Sequence, residues 1–176
     1  MAGSSEPVPA HAAVLGEMRQ YLTFNLANET FALGILAIKE IIEYTAPTTV
    51  PMMPEYLRGV INLRGLVVPV IDLAVRFGKV STAVTKRTCI VIVEIRIDGD
   101  RHDIGVVVDA VNAVIEITPD DIEPPPNFGT RIRTEFIAGM GKVNGRFMML
   151  IDPQHVLAVG ELEALASNSL ESAVAA

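Results

Sequence analysis

The sequence predicts a mainly β protein organised as small antiparallel barrels, and three observations carry that expectation. Apolar and polar residues alternate at period two in short runs, the signature of half-buried strands. Gly and Pro break those runs after five to eight residues, which suits antiparallel barrels better than a parallel sheet. The parts also recur in the same order in the two halves of the chain, as expected of a duplicated unit.

Residues 1–18 mix Ser, Pro, Ala and Glu without periodicity and read as a flexible arm. Order is expected from about Gln20. In QYLTFNLANETFAL (20–33), Leu22, Phe24 and Leu26 alternate with Tyr21, Thr23 and Asn25, and Asn28 with Glu29 supplies turn chemistry for a hairpin. In KRTCIVIVEIRIDGDRHDIGVVV (86–108), Cys89, Val91, Val93, Ile95 and Ile97 fall on one face, and Asp98-Gly99 is a type I′ turn signal for a second hairpin. Helical segments are expected to be short. Asp72 and Asp152 are each placed to cap a few turns, Pro153 suits a first helical position, and Thr118-Pro119-Asp120-Asp121 reads as one capped turn. Only 153–172 has room for a longer, C-terminal helix.

The repeat is visible at two places. GVINLRGLVVPVIDL at 59 aligns with GMGKVNGRFMMLIDP at 139 at an offset of 80, so Gly59 matches Gly139, Gly65 matches Gly145 and Val70-Ile71-Asp72 matches Leu150-Ile151-Asp152. AIKEIIEY at 37 aligns with AVNAVIEI at 110, offset 73, and a proline-rich connection follows each. The expected organisation is a 1–18 arm, a folded region at 19–160 made of two intertwined barrels at about 20–80 and 86–155, and a helical or flexible tail at 161–176. Each half is marginal alone and is expected to lean on the other. The alignment also explains a permanent cation inside a run that otherwise reads as core. Arg64 matches Asn144 of Asn144-Gly145, an ordinary hairpin tip, so Arg64 is expected at an exposed corner whose backbone freedom comes from Gly65.

Composition narrows the function. Half of the 176 residues are apolar, enough for a buried core, and the formal charge of −7 disfavours nucleic acid and anionic membrane surfaces. No basic start with an apolar run marks a signal peptide, and no run approaches a bilayer span, so a cytoplasmic protein without direct membrane contact is expected. The one cysteine, Cys89, cannot form an internal disulfide and lies in strand sequence, where burial works against thiol reactivity. His11, His102 and His155 show no metal-ligand spacing, and Gly139, Gly141 and Gly145 fail as a dinucleotide loop because a strand follows them. Neither a catalytic site, nor a metal, nor a cofactor is expected.

PEYLRGVINLRGLVVPVIDL, the upstream IKEI, IGVVVDAV and the late GMGKVNGRFMMLIDP together resemble the CheW coupling proteins of bacterial chemotaxis and the related regulatory domain of the histidine kinase CheA. The resemblance covers residues 20 to about 160. It implies two SH3-like five-stranded barrel subdomains joined by short helices, no catalysis, and a bridge between a chemoreceptor's cytoplasmic tip and the CheA regulatory domain, with recruitment to membrane receptor arrays. The residues it implicates in receptor coupling are Glu40, Gly59 and Arg64. Ile38, Arg58 and Gly65 surround them and complete the expected receptor-binding set.

Glu40 is the acidic residue of an apolar stretch and can pair with Arg64 if its strand lies beside that hairpin. Ile35, Ile38, Ile41 and Ile42 are read mainly as core, with a minority left to face a partner. Phe128, on a rigid arm after Pro124-Pro125-Pro126, is the expected kinase contact together with Ile35. If Gly59 is glycine because a partner's backbone approaches it, Gly59→Asp should harm binding more than stability. Two other functions stay open at this point: a CheW-type adaptor of another kinase circuit, such as surface motility or second-messenger control, and a small barrel that holds a metabolite in its mouth.

Overall fold

The computed structural model describes residues 19–81, 83–124 and 136–157. The arm, Phe128, the tail and any helix beyond 157 lie outside the described residues.

Among the described residues, eleven strands and two short α-helices follow one another: β1 (Arg19–Leu26), β2 (Glu29–Gly34), β3 (Ile38–Glu43), β4 (Leu57–Leu63), β5 (Leu66–Asp72), α1 (Leu73–Arg76), β6 (Cys89–Ile97), β7 (Asp100–Val108), β8 (Ala110–Ile117), β9 (Ile122–Glu123), β10 (Ile137–Val143), β11 (Arg146–Ile151) and α2 (Pro153–Leu157). They form two sheets, of order β3-β6-β7-β5-β4 and β8-β1-β2-β11-β10-β9. Local sequence accounts for most of the boundaries. Asp98 and Gly99 take left-handed φ of 53° and 86° at the β6-β7 turn. Arg64-Gly65 (52°, 87°) and Asn144-Gly145 (52°, 80°) do the same at matching corners. These paired positive values are the I′ geometry that fits strand twist. Asp72 caps α1 by accepting from Val75 N at 3.3 Å, and Asp152 accepts from His155 N at 3.2 Å. The first hairpin turns at Ala27-Asn28, one residue earlier than expected, with Ala27 N donating to Asp109 Oδ2 at 2.9 Å. Pro119–Asp121 is a 3-10 turn in which Thr118 Oγ1 donates to the Asp121 carboxylate at 3.1 Å rather than capping the backbone.

The sheets do not coincide with the contiguous halves at about 20–80 and 86–155. Strands β3 to β7 make the first sheet, here the central barrel. Strands β1 and β2 join β8 to β11 in the second, the split barrel. Each hairpin has pairing edges on both sides, and the repeated sequence leaves open which copy supplies its neighbours. β6-β7 fills the gap between β3 and β5, while β1-β2 fills the equivalent gap between β8 and β11. Pro69 is tolerated inside β5 because the parallel ladder to β7 starts only at Val70.

The exchange places the main core between the sheets. On β6, Val91, Val93, Ile95 and Ile97 point into a shared cluster with Leu22, Phe24, Phe31 and Leu33, whereas Ile90 and Ile92 fill the central barrel with Ile61, Val68, Val70 and Val107. The period-two pattern therefore separates two cores rather than core from solvent. The split barrel has a smaller interior of Ala32, Ile117 and Leu150. Where α1 meets α2, the Arg76 guanidinium lies between the Tyr56 and Phe136 rings at 4.8 and 4.9 Å, and its Nε donates to Val156 O at 3.1 Å. Tyr56 and Phe136 are repeat equivalents, as are Arg76 and Val156. A cation on both sides of this near-symmetric junction would repel, so one copy carries the charge and the other a carbonyl beside an apolar side chain.

Candidate functional site

β3 and β4 are the outer strands of the central sheet, and side chains link them. Arg64 Nη1 donates to Glu40 Oε1 at 3.3 Å and Nη2 donates to Glu40 Oε2, a two-pronged bond from the β4-β5 corner to β3. The expected pairing is present. The Arg64 side chain is 71% exposed and that of Glu40 28%. Hydrogen bonding to Glu40, then its charge, raises the guanidinium above its ordinary pKa. The corner is held open by Gly65, whose N donates to Asn62 Oδ1 at 2.9 Å.

Arg58 makes a second link, and it faces inward. Its Nε and Nη2 donate to Asp72 Oδ2 at 3.1 and 2.9 Å, its Nη1 to Tyr44 Oη at 3.1 Å, and its Nη2 also to Ser81 Oγ at 2.9 Å. Ser81 Oγ donates in turn to Asp72 Oδ2 at 2.7 Å. Burial works to lower the Arg58 pKa, but the bond and charge of Asp72, with Tyr44, outweigh it and the net shift is upward. Arg58 thus balances a buried carboxylate that also caps α1. Tyr44, Asp72 and Ser81 were not legible as a unit, since they are distant in sequence.

Gly59 is glycine for an internal reason. Its φ is 142°, and a Cβ there would lie 2.1 Å from Thr48 O and 2.7 Å from Thr48 C. Thr48 and Val60 exchange backbone bonds of 2.8 and 2.9 Å, so the 47–48 segment crosses directly over this residue. The close backbone belongs to this chain, which corrects the expectation that Gly59 makes room for a partner. Gly139 repeats the arrangement under β9, with a Cβ 2.9 Å from Glu123 O.

Ile35 and Ile38 are half-buried against the shared core, while their neighbour Leu36 is almost fully exposed on a 3-10 turn, a displayed apolar group that the sequence reading missed. Ile41 is 42% exposed and Ile42 packs on the central-barrel core. Cys89 is half-buried. Burial, then the Glu43 carboxylate, pushes its thiol pKa up.

Beside Glu40 in the chain begins a charged trio, Lys39, Glu94 and Asp103, with Arg101 at its edge. Lys39 Nζ reaches Asp103 at 3.2 Å and Glu94 at 3.8 Å, and Arg101 reaches Glu94 at 3.6 Å. They border a cleft of about 340 Å³ whose other wall is Leu66 to Pro69. Lys39 is the residue skipped at a β-bulge, with Ile38 opposite Val93 and Glu40 opposite Ile92. The bulge turns Lys39 toward Asp103 and Glu94.

The model of the CheW-like domain family matches residues 20–161. The chain is 34% identical to "Chemotaxis protein CheW" of Klebsiella aerogenes over 154 residues, covering 88% of this chain and 90% of that protein. It is 32% identical to the Bacillus subtilis protein of the same name over 136 residues, 77% of this chain and 85% of that one. Among solved structures it superposes on the scaffolding protein TtCheW from Thermoanaerobacter tengcongensis with a TM-score of 0.73 and 37% identity, covering 82% of this chain and 95% of that chain. The two sheets are the two SH3-like subdomains of that fold.

Proposed function

This chain belongs to the CheW-like domain family, and from that membership we propose that it is a non-enzymatic adaptor that couples bacterial chemoreceptors to the histidine kinase CheA in chemotaxis. The observation that carries the reading is that the family match spans both barrels, 20–161, with relatives named as chemotaxis proteins and a structural neighbour named as a scaffold. The receptor-facing surface lies at the β4-β5 corner, where Arg64 and Gly65 are displayed next to Glu40 and the edge of Ile38. Arg58 and Gly59 serve it from beneath, by fixing the course of β4. The kinase-facing surface includes Ile35, with exposed Leu36 beside it, and Phe128.

The mechanism needs no bond-making step by this chain. An adaptor with two faces transmits a signal when each partner binds one packing arrangement better than another, and the coupling is limited to that difference in affinity. Recruitment to receptor arrays follows from receptor binding, and no helix among the described residues is long and apolar enough to cross a membrane. The test is reconstitution. Receptor signalling fragment, CheA and this protein should sediment together and raise CheA autophosphorylation, and Arg64→Ala should reduce both. A wild-type chain that joins neither partner would reject the proposal.

A further inference from the structure

The two barrels offer a comparison inside one molecule. Ladder positions define which residues correspond: Ile92 lies opposite Glu40 as Thr23 lies opposite Ala113, and Gly105 lies beside Val70 as Ala32 lies beside Leu150. By that register Lys39, Glu94 and Asp103 of the central barrel correspond to Asn112, Asn25 and Thr30 of the split barrel. A bulge skips Asn112 just as another skips Lys39. The second trio is also linked. Asn112 Nδ2 donates to Asn25 Oδ1 at 3.0 Å, and Thr30 Oγ1 donates to the same oxygen at 3.2 Å. One scaffold position is thus filled by a neutral amide-hydroxyl network in one barrel and by an ion-paired network in the other. Ala113 and Asn144 likewise stand where Glu40 and Arg64 stand.

The fold therefore does not require charge here, because the neutral trio closes the equivalent place. Nor do the ion pairs add much stability: the side chains of Lys39 and Arg101 are 48% and 68% exposed, and exposed pairs are weak. What distinguishes the charged version is the field it presents beside an apolar wall, where Leu66 is 62% exposed. Complementary charges at a rim set orientation and partner choice more than affinity. Two cations (Lys39, Arg101) and two anions (Glu94, Asp103) line this cleft with no net formal charge, and the Glu40-Arg64 pair adjoins it along the chain through Lys39 and Leu66. A surface of that kind suits a partner that presents an apolar side chain flanked by both signs, rather than a uniformly charged one.

We propose that Lys39, Glu94, Asp103 and Arg101 are specificity-determining residues that extend the Glu40-Arg64 site into one docking surface for a segment of the receptor's cytoplasmic tip. That segment inserts an apolar side chain against Leu66 and exchanges ion pairs with the trio. The proposal rests on the adaptor reading above and deepens it.

The test grafts the split barrel's own network onto the central barrel. The triple variant Lys39→Asn, Glu94→Asn, Asp103→Thr keeps a linked trio that this scaffold already accepts. It is expected to melt with the wild type and to bind the CheA regulatory domain unchanged, while losing about tenfold in receptor-fragment affinity and most of its salt dependence. Wild-type binding should itself weaken between low and high salt, a measurement that stands even if the triple variant folds poorly. Receptor affinity that matches the wild type in the triple variant, or that ignores salt in the wild type, overturns the proposal and leaves the adaptor reading in place. A wild-type chain that binds neither partner rejects both.

Discussion

Arg64 and Glu40 meet across a seam between two strands, β4 and β3, that are the outermost members of their sheet. The pair closes the central barrel at its mouth, where Ala113 and Asn144 leave the split barrel without a counterpart. Because Arg64 is exposed and its corner is fixed by Gly65, Arg64→Ala is expected to lower the melting temperature by only about 2 °C, the scale of an exposed pair in a chain of this size. Receptor binding should fall with it. Glu40→Ala should act the same way, and the double variant should be no worse than either single one. Additive losses in a receptor-binding cycle would show that the two residues act independently.

Gly59→Ala is expected to be far more damaging than Gly65→Ala, although both residues flank the same site. At 59 a methyl group meets the Thr48 carbonyl at 2.1 Å, so the crossing segment must move; the expected loss is about 2–4 kcal/mol in urea unfolding. At 65 nothing lies within 4 Å, and the cost is the left-handed backbone alone, about 1–2 kcal/mol. Any binding defect of Gly59 variants should track their loss of structure. A Gly59→Ala chain as stable as the wild type would contradict the crossing.

Much of this was legible beforehand, and the exceptions share a cause. The corners at 64–65 and 98–99 and the caps at Asp72 and Asp152 rest on residues within three or four positions of one another, so local chemistry announces them. The exchange of β1-β2 and β6-β7 between sheets is a choice between equivalent long-range pairings, and duplicated sequence makes the alternatives look alike. Arg58 read as a surface contact because Tyr44, Asp72 and Ser81 come together only through the fold. Lys39 was overlooked because period two assigns it to the opposite face from Glu40. A bulge, which leaves no reliable mark in sequence, overrides that assignment.

Arg58→Met is expected to destabilise by about 2–3 kcal/mol, somewhat under the range for a fully buried pair because the Arg58 side chain is 18% exposed. Most of that loss comes from leaving Asp72, 1% exposed, without its cation. The variant Arg58→Met with Asp72→Asn should therefore recover part of the stability, since an amide needs no counter-charge and still caps α1. Urea midpoints of the two chains decide it. A double variant weaker than Arg58→Met would mean that the carboxylate is held by other donors.

Cys89 titrates above an ordinary cysteine, because burial disfavours the thiolate and Glu43 repels it. Alkylation by iodoacetamide at pH 8 should be slower than for a small-molecule thiol and should still be climbing at pH 9; Glu43→Gln should speed it. The sign for stability follows. The folded state holds the proton more tightly than the unfolded one, so this contribution is whole below the ordinary thiol range and is lost as pH rises through the raised value. A rate that levels off at or below the pH expected of a free thiol would contradict the assignment.

The repeat allows the Glu40-Arg64 pair to be moved. Ala113→Glu with Asn144→Arg should build the same bridge on the split barrel, since both corners share left-handed φ of 52° at the first position and both edge strands carry the same bulge. In an Arg64→Asn, Glu40→Ala background the transplanted pair is not expected to restore receptor binding. The Leu66 wall and the Lys39 trio remain on the central barrel, and the split barrel offers Asn112, Asn25 and Thr30 in their place. Receptor pull-down alongside melting curves reads both halves of the expectation. Restored capture would make the ion pair a sufficient determinant wherever a corner displays it, and the surrounding charges would then be ordinary solvated surface.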